Sequence, residues 1–363
     1  MDFDRRPILV FWETTKACAL ACRHCRASAI PQPLASELSA PEAQRFLEQL
    51  AGFGRPRPVL VATGGDVLMR PDLHDLVARA AELKLPLALA PSVTPLLTRE
   101  RVASLRRLGV KVASISLDGA TASVHDGVRG VKGHFEATLA AIRLLRLERI
   151  TVQVNSVVMR DTVEELPAIA RIVKESGASI WELFFLVQVG RGATAAELTA
   201  DENEHACHFL VDASRYGFIV RTVEAPFFRR VVAERVNGDA PPADGLYPRL
   251  LTTLRNELGA PVGGPRAQTK GTRDGRGVLF VGHDGEIAPS GFLPLGLGNV
   301  RDSDIVRVYR EHPLLRKIRA AEFSGRCGNC RYRDLCGGSR ARAYAKSGDA
   351  LAEDPGCAFV PQA

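Results

Sequence analysis

Six short apolar runs recur along the first part of the chain, each rich in branched or aromatic residues, and stretches of helical period lie between them. The runs are Ile8–Trp12, Pro58–Ala62, Leu85–Ala90, Val110–Leu117, Ile150–Met159 and Ile180–Val187. The helical stretches are Glu42–Gly52, Asp72–Leu83, Arg99–Leu108, Phe135–Leu145 and Val163–Ser176. Ser39-Ala-Pro-Glu42 and Thr162-Val-Glu-Glu165 read as capping boxes that open two of them. Continuous apolar strands separated by helices belong in a parallel sheet covered on its outer face. Six such units are too few for a complete eight-stranded barrel, which leaves an α/β fold of either partial-barrel or doubly wound form. In both forms ligands gather at the carboxyl ends of the strands, so the residues there are the ones to read for chemistry.

Directly after the first run stands Cys18-Ala-Leu-Ala-Cys22-Arg-His-Cys25. Three thiolates within eight residues can hold three irons of a [4Fe–4S] cube, and the fourth iron then has no protein ligand in this loop. A structural zinc site is the alternative, but such sites close with four ligands from paired knuckles, and only Cys22 and Cys25 form one here. Towards the other end, Cys327-Gly-Asn-Cys330, Cys336-Gly-Gly and Cys357 make a four-thiol set, sufficient for one fully ligated cube. A zinc ribbon would repeat the close pair, and the second half of this set does not. Cys207, among Ala206, Leu210 and Val211, reads as core packing.

The chain has 363 residues, of which 46% are hydrophobic, enough for a large core. Lys plus Arg exceeds Asp plus Glu by 48 to 41, but the excess is scattered, with no basic run interleaved with aromatics, so no nucleic-acid partner is expected. No run approaches the 18 apolar residues of a membrane span, and the first residues lack a signal-peptide run. Clustered cysteines in such a chain favour cofactor ligation over disulfides and a cytoplasmic location.

The C-x3-C-x2-C loop after a first strand resembles the signature of the radical S-adenosylmethionine (radical SAM) superfamily. The resemblance implies a partial (β/α)6 TIM-like barrel and an open iron that chelates S-adenosylmethionine. It also implies reductive cleavage to a 5′-deoxyadenosyl radical, and an external electron donor such as flavodoxin or ferredoxin. Cys18, Cys22 and Cys25 become the catalytic cluster ligands. Thr63-Gly64-Gly65-Asp66 resembles the family's GGE segment that binds the amino group of SAM, with Asp66 in place of Glu. Ser114-Ile-Ser116-Leu-Asp118-Gly119, His125-Asp126 and Arg129-Gly130 are similar to the region lining the SAM side of the barrel. There Ser116 would reach the ribose or carboxylate and Arg129 would pair with the carboxylate. Read without the resemblance, Asp118 caps a turn and Arg129 makes a structural ion pair. Asn155 matches a polar ribose-side position, His24 a position near adenine, and Gly190-Arg191-Gly192 a recurrent loop.

Beyond Glu224 the pattern becomes loop-rich, with short helices at Pro226–Val236 and Pro248–Leu258, then a hairpin of Val278–Val281 and Glu286–Ala288. The expected division is a core at 1–225, a linker or substrate-access segment at 226–272, and a small α+β iron–sulfur domain at 273–363. The hairpin, Gly298-Asn299-Val300 and the four thiols together resemble the SPASM or twitch extension of radical SAM enzymes. Ser290 and Ser339 stand where relatives place cysteines, so one auxiliary [4Fe–4S] cluster is expected on Cys327, Cys330, Cys336 and Cys357. His24-Cys-Arg-Ala-Ser-Ala29 and Cys336-Gly-Gly-Ser-Arg-Ala-Arg-Ala-Tyr344 look most like the subgroup that modifies tetrapyrroles late in haem synthesis. Peptide maturases come next. Arg191, Arg340 and Arg342 either meet substrate carboxylates or are solvated. In a different class, the two cysteine sets would be zinc staples of an adaptor without a reaction.

Overall fold

The computed structural model describes residues 2–268 and 271–361. Strands β1 (Leu9–Glu13), β2 (Val59–Thr63), β3 (Leu87–Leu89), β4 (Val112–Ser116), β5 (Thr151–Val158) and β6 (Ile180–Phe185) fall where the apolar runs place them. A seventh, β7 (Ile219–Val223), continues the row, and all pair in parallel in chain order. Helices α1 (Ala40–Ala51), α2 (Leu73–Glu82), α3 (Arg99–Arg107), α4 (Ala122–Arg129), α5 (His134–Leu147), α6 (Leu166–Ser176) and α7 (Ala200–Ala213) make the crossovers. This is a partial TIM-like barrel. Helices α8 (Phe228–Val236) and α9 (Leu246–Leu258) follow, and α9 lies against α6 and α7.

The carboxy-terminal part contributes β8 (Val278–Val281), β9 (Glu286–Ala288) and β10 (Gly298–Asn299). The hairpin forms as expected, β8 antiparallel to β9. Its other edge is the finding: β8 pairs in parallel with β1, so a single ten-stranded sheet runs β10-β9-β8-β1 to β7. Helices α10 (Ile305–Glu311), α11 (Pro313–Arg319), α12 (Gly325–Gly328) and α13 (Arg340–Ser347) complete the chain.

Strand residues alternate between two environments, as the pleat requires. Val10, Leu60, Ala113, Val154, Leu183 and Val220 are buried under the helices. Their neighbours Phe11, Val61, Ser114, Asn155, Glu182 and Arg221 face an interior cavity. Register pairs Ser116 with Asn155, Asn155 with Glu182, and Glu182 with Arg221, so a polar row crosses four strands inside an otherwise apolar barrel. A second core cluster seats α1 and α10 on β1 and β8, with Trp12 edge-on to Phe46 at 5.3 Å. Ser39 caps α1 as expected, its amide donating to Glu42 Oε2 at 2.8 Å. Thr162 does not cap. Its hydroxyl turns back to the carbonyls of Val157 and Met159, and Glu165 instead accepts the Ala120 amide. The reciprocal box forms at Thr199 and Glu202, on α7.

Candidate active site

The cysteine loop follows β1 and is clamped by loops from three other strands. The Gly64-Gly65-Asp66 segment after β2 docks its backbone on it: the Gly65 amide donates to the Thr15 carbonyl at 2.7 Å and the Asp66 amide to the Ala17 carbonyl at 2.6 Å. A β-carbon at Gly65 would sit 2.3 Å from the Ala17 carbonyl oxygen, so only glycine fits there. From the end of α4, the Val128 carbonyl accepts the Arg23 amide at 3.0 Å. After β6, Gly190 has φ +56, and a β-carbon there would lie 2.3 Å from the Arg26 carbonyl. The neighbouring Arg191 side chain donates to the carbonyls of Cys22 at 3.0 Å and Ala29 at 2.8 Å. Arg191 is therefore a brace for the loop, half-buried and turned onto its carbonyls.

So held, Cys18, Cys22 and Cys25 line one cavity of about 240 Å³. Its wall also carries His24, Gly64, Gly65, Ser116, Asp118, Arg129 and Asn155. Asp66 alone among the expected contacts is turned away. Fully buried, its carboxylate accepts the amides of Leu68 at 3.0 Å and Ser92 at 3.3 Å and the Thr94 hydroxyl at 2.8 Å. It ties the β2 loop to the β3 loop. Ser92, which sequence reading passed over, sits 3.6 Å from Cys18 Sγ and donates to the Gly65 carbonyl at 3.0 Å. Its position just beyond a strand's carboxyl end was the available signal.

Asp118 is the electrostatic centre of the wall. One oxygen accepts the Val157 amide at 2.8 Å; the other faces Arg129 and, at 3.0 Å, His24 Nε2. Burial pushes its pKa up, but Arg129 and His24 outweigh that and hold the carboxyl well below the usual range. Arg129 also reaches Cys22 Sγ at 3.5 Å. The Asp118 amide donates to His125 Nδ1 at 3.1 Å, and His125 Nε2 lies 2.9 Å from His134 Nδ1. Burial and the Arg129 cation push His125 down to about 4, so it stays a neutral acceptor. Asp126 caps the start of α5 through the amides of Gly133 and Phe135.

A second cavity, of about 260 Å³, adjoins the first and shares Arg26, Thr63, Ser114, Asn155, Phe184 and Phe292 with it. It extends past Glu182, Arg221 and Glu224 to Gly338 and Ser339. Gly338 also borders a small cavity of about 30 Å³, on which Cys327, Cys330, Cys336 and Cys357 converge. The second cavity thus adjoins the first at one end and shares Gly338 with the cavity of the carboxy-terminal thiols at the other. Among the described residues no group of three or more His, Cys, Asp or Glu is gathered tightly enough for a single metal ion. Each set shares a cavity wall rather than one coordination point. Burial pushes the Cys336 thiol up to about 12 and the Cys357 thiol up to about 11, and such thiols ionise readily only against a metal's charge.

Arg340 and Arg342, expected at the substrate or in solvent, are buried. Arg342 pairs with Asp354 at 3.2 Å, and Arg340 donates to the carbonyls of Ala350 and Ala352 at 3.1 and 2.6 Å. Neither is solvated, because each satisfies backbone or carboxylate groups that the fold has already removed from water. Ser339 caps α13 and donates to Glu224. Ser290 accepts the Phe292 amide at 3.3 Å.

A profile of the radical SAM superfamily matches residues 12–173. The AdoMet-dependent heme synthase of Oleidesulfovibrio alaskensis is 35% identical over 361 residues, 98% of this chain and 88% of that protein. The PqqA peptide cyclase of Rhodopseudomonas palustris is 28% identical over 375 residues, again 98% and 88%. Streptococcus suis SuiB, solved with its precursor peptide SuiA, superposes with a TM-score of 0.72 at 14% identity, over 98% of this chain and 76% of that one. That last likeness concerns the fold alone.

Proposed function

We propose, on the premise that this chain belongs to the radical SAM superfamily, that it oxidises carboxylate side chains of a tetrapyrrole. It is a radical SAM enzyme, and that family binds a [4Fe–4S] cluster and S-adenosylmethionine. When bound, the pair supplies a carbon radical able to take a hydrogen atom from substrate. The observation that carries the reading is the shared wall: three thiols, a glycine backbone edge, Ser116, Asn155 and Arg129 around one cavity that opens into a second. Cys18, Cys22 and Cys25 are the donors for three irons. The Gly64–Gly65 edge and the Ser116 and Asn155 side chains offer hydrogen bonds to the amino acid and ribose of the cosubstrate. Arg129, braced by Asp118, holds a fixed cation beside Cys22 for a carboxylate. His24 lies on the same wall, and Asp66 acts from behind it by positioning Ser92.

The substrate class rests on whole-length similarity to an AdoMet-dependent heme synthase, and the second cavity is the place for it. Conversion of a propionate to a vinyl group releases one hydrogen atom, carbon dioxide and one electron. Four further thiols, around the small cavity that shares Gly338 with the second, are donors for an auxiliary cluster that would receive the electron. The division into a core at 1–225, an access segment at 226–272 and a cluster-bearing part at 273–363 fits this arrangement. An external low-potential donor, a flavodoxin or ferredoxin, and a cytoplasmic location complete the reading.

The test is anaerobic turnover of the reconstituted protein with iron-coproporphyrin III, S-adenosylmethionine and a strong reductant. The expected result is 5′-deoxyadenosine together with a tetrapyrrole lighter by one carbon dioxide and two hydrogens per converted side chain. Deoxyadenosine with unchanged tetrapyrrole, and modification of a candidate peptide instead, would move the substrate to the peptide class.

A further inference from the structure

Around the four carboxy-terminal thiols the charge does not balance. Among the described residues Arg229, Arg273 and Arg340 have no carboxylate within ion-pair distance, and all three are buried, Arg340 completely. Their partners are carbonyl dipoles. Arg273 donates to the carbonyls of Ile318 at 3.1 Å and of Arg333, Asp334 and Cys336 at 3.3 Å, and its Nε has no partner among the described residues. Arg229 donates to the carbonyls of Leu335 and Thr272. Arg340, besides its carbonyl bonds, brings Nη2 within 3.7 Å of Cys327 Sγ. Neighbouring guanidiniums are treated differently: Arg230 pairs with Glu204 and Glu234, and Arg342 with Asp354. The amino-terminal thiols show the contrast. Their buried arginine, Arg129, is matched by Asp118, and Arg26 by Glu13 at 3.0 Å, while the half-buried Arg191 has no carboxylate partner among the described residues.

Buried cations without a counter-charge are costly, and a fold that keeps three together is complete only with an anion beside them. A [4Fe–4S] core on four thiolates carries about two negative charges when oxidised and about three when reduced. Resting on the reading of Cys327, Cys330, Cys336 and Cys357 as cluster ligands, we propose that Arg229, Arg273 and Arg340 are the counter-charge of that cluster and raise its reduction potential. The added electron is stabilised by three nearby cations, whereas the thiolate ligation itself is unchanged. The site is thereby biased towards accepting the single electron that a substrate radical must lose on oxidation. These arginines are positioning residues: they bond carbonyls of the ligand loops, and because Arg229 and Arg273 also border the second cavity, their effect on the cluster is read without substrate present.

The experiment uses the full chain with Cys18, Cys22 and Cys25 changed to Ala, so that only the carboxy-terminal site contributes to the spectrum. Electron paramagnetic resonance is followed through a redox titration, with iron measured in parallel. Arg229→Met and Arg273→Met are each compared with Arg229→Lys and Arg273→Lys, which keep the charge and lose the planar fork. At the parent's midpoint, each Met variant is expected to show a reduced-to-oxidised ratio at least about tenfold lower, ~59 mV for a one-electron couple, with the Lys variants near the parent. Iron lost in the Met variants but retained in the Lys variants supports the same charge role. Met variants that titrate with the parent overturn it, as does equal loss of cluster from Met and Lys variants, which would mean that the arginines only organise carbonyls. If the parent itself holds no iron, the cluster reading fails, and the arginine proposal falls with it for a separately visible reason.

Discussion

The amino-terminal thiols sit on a loop pinned by loops from elsewhere in the barrel, beside a cavity of about 240 Å³ with a polar wall. The carboxy-terminal thiols sit around a cavity of about 30 Å³ walled by aromatic and arginine side chains. The first site has room for a small molecule beside its three thiols, and its buried charges are matched. The second has four thiols and little spare room, with the unmatched cations Arg229, Arg273 and Arg340 behind its ligand loops rather than on its wall. The difference teaches which site is built to admit a cosubstrate and which to enclose a cofactor. Both hang on the same strand: β1 feeds the first cysteine loop, and β8, which leads towards the second set, pairs with β1. One sheet therefore carries the entry to both segments, although the two sites differ in almost every other respect.

The strongest way to break the contrast is to remove thiols from one end at a time. Cys22→Ala is expected to lower 5′-deoxyadenosine formation by more than about a thousandfold, because three donors are the minimum that holds the site-differentiated cube, and to remove about four irons. Cys330→Ala is expected to remove a similar amount of iron yet leave reductive cleavage of S-adenosylmethionine within about threefold, since that step needs only the first site. Iron analysis and chromatography of deoxyadenosine read both. Equal loss of cleavage in the two variants would make the sites one unit.

Next in size is the matched charge itself. Arg129→Met leaves Asp118 buried without its principal cation, an expected cost of about 3–5 kcal/mol in chemical denaturation. The double variant Arg129→Met/Asp118→Asn should recover much of it. No recovery would mean that Arg129 matters for Cys22 rather than for charge balance.

Acid should separate the two ends by a smaller margin. His125 is neutral in the fold, down to about 4, where it faces the Asp118 amide, His134, Thr138 and the Arg129 cation. The unfolded chain takes up a proton near pH 6.5, so stability is full above that value and falls as pH drops towards 4, by about 2 kcal/mol at pH 5. Denaturation at pH 5 and 7, with hydrogen exchange to locate the change, should place the loss on α4 and the first cysteine loop. His125→Gln should flatten the slope, and an unchanged slope would assign the acid sensitivity elsewhere.

How far these sites could be read in advance depended on whether the signal was a residue type or a burial. Six strands were legible because their outward residues are apolar, even where Gln153, Asn155 and Glu182 face inward. Strand β7 was not, since Arg221 and Thr222 interrupt it, Arg221 being polar because it faces the interior cavity. The cysteine spacing was legible at both ends. That Gly65 and Gly190 serve as docking faces for the loop was not, because a glycine's role depends on which backbone approaches it. Arg340 and Arg342 read as solvent or substrate contacts because Arg is rarely buried. Only the packing of the last hundred residues on β1 reveals them as interior cations.

The smallest expected effect concerns Ser339, where relatives with a further thiol would have one. Its hydroxyl is turned to Glu224, and its amide donates to Asp354 at 2.7 Å, so the side chain borders the second cavity rather than the cavity of the four thiols. Ser339→Cys should therefore add no iron and leave the spectrum of the second site unchanged. Its cost should be about 1 kcal/mol of stability, from the lost cap on the Arg342 amide. Iron content, electron paramagnetic resonance and thermal denaturation of the variant test the three statements together. A gain of iron with Ser339→Cys would show that the second cavity, not the small one, is where further cluster ligands converge. The enclosed character of the carboxy-terminal site, on which the contrast with the open amino-terminal site depends, would then be lost.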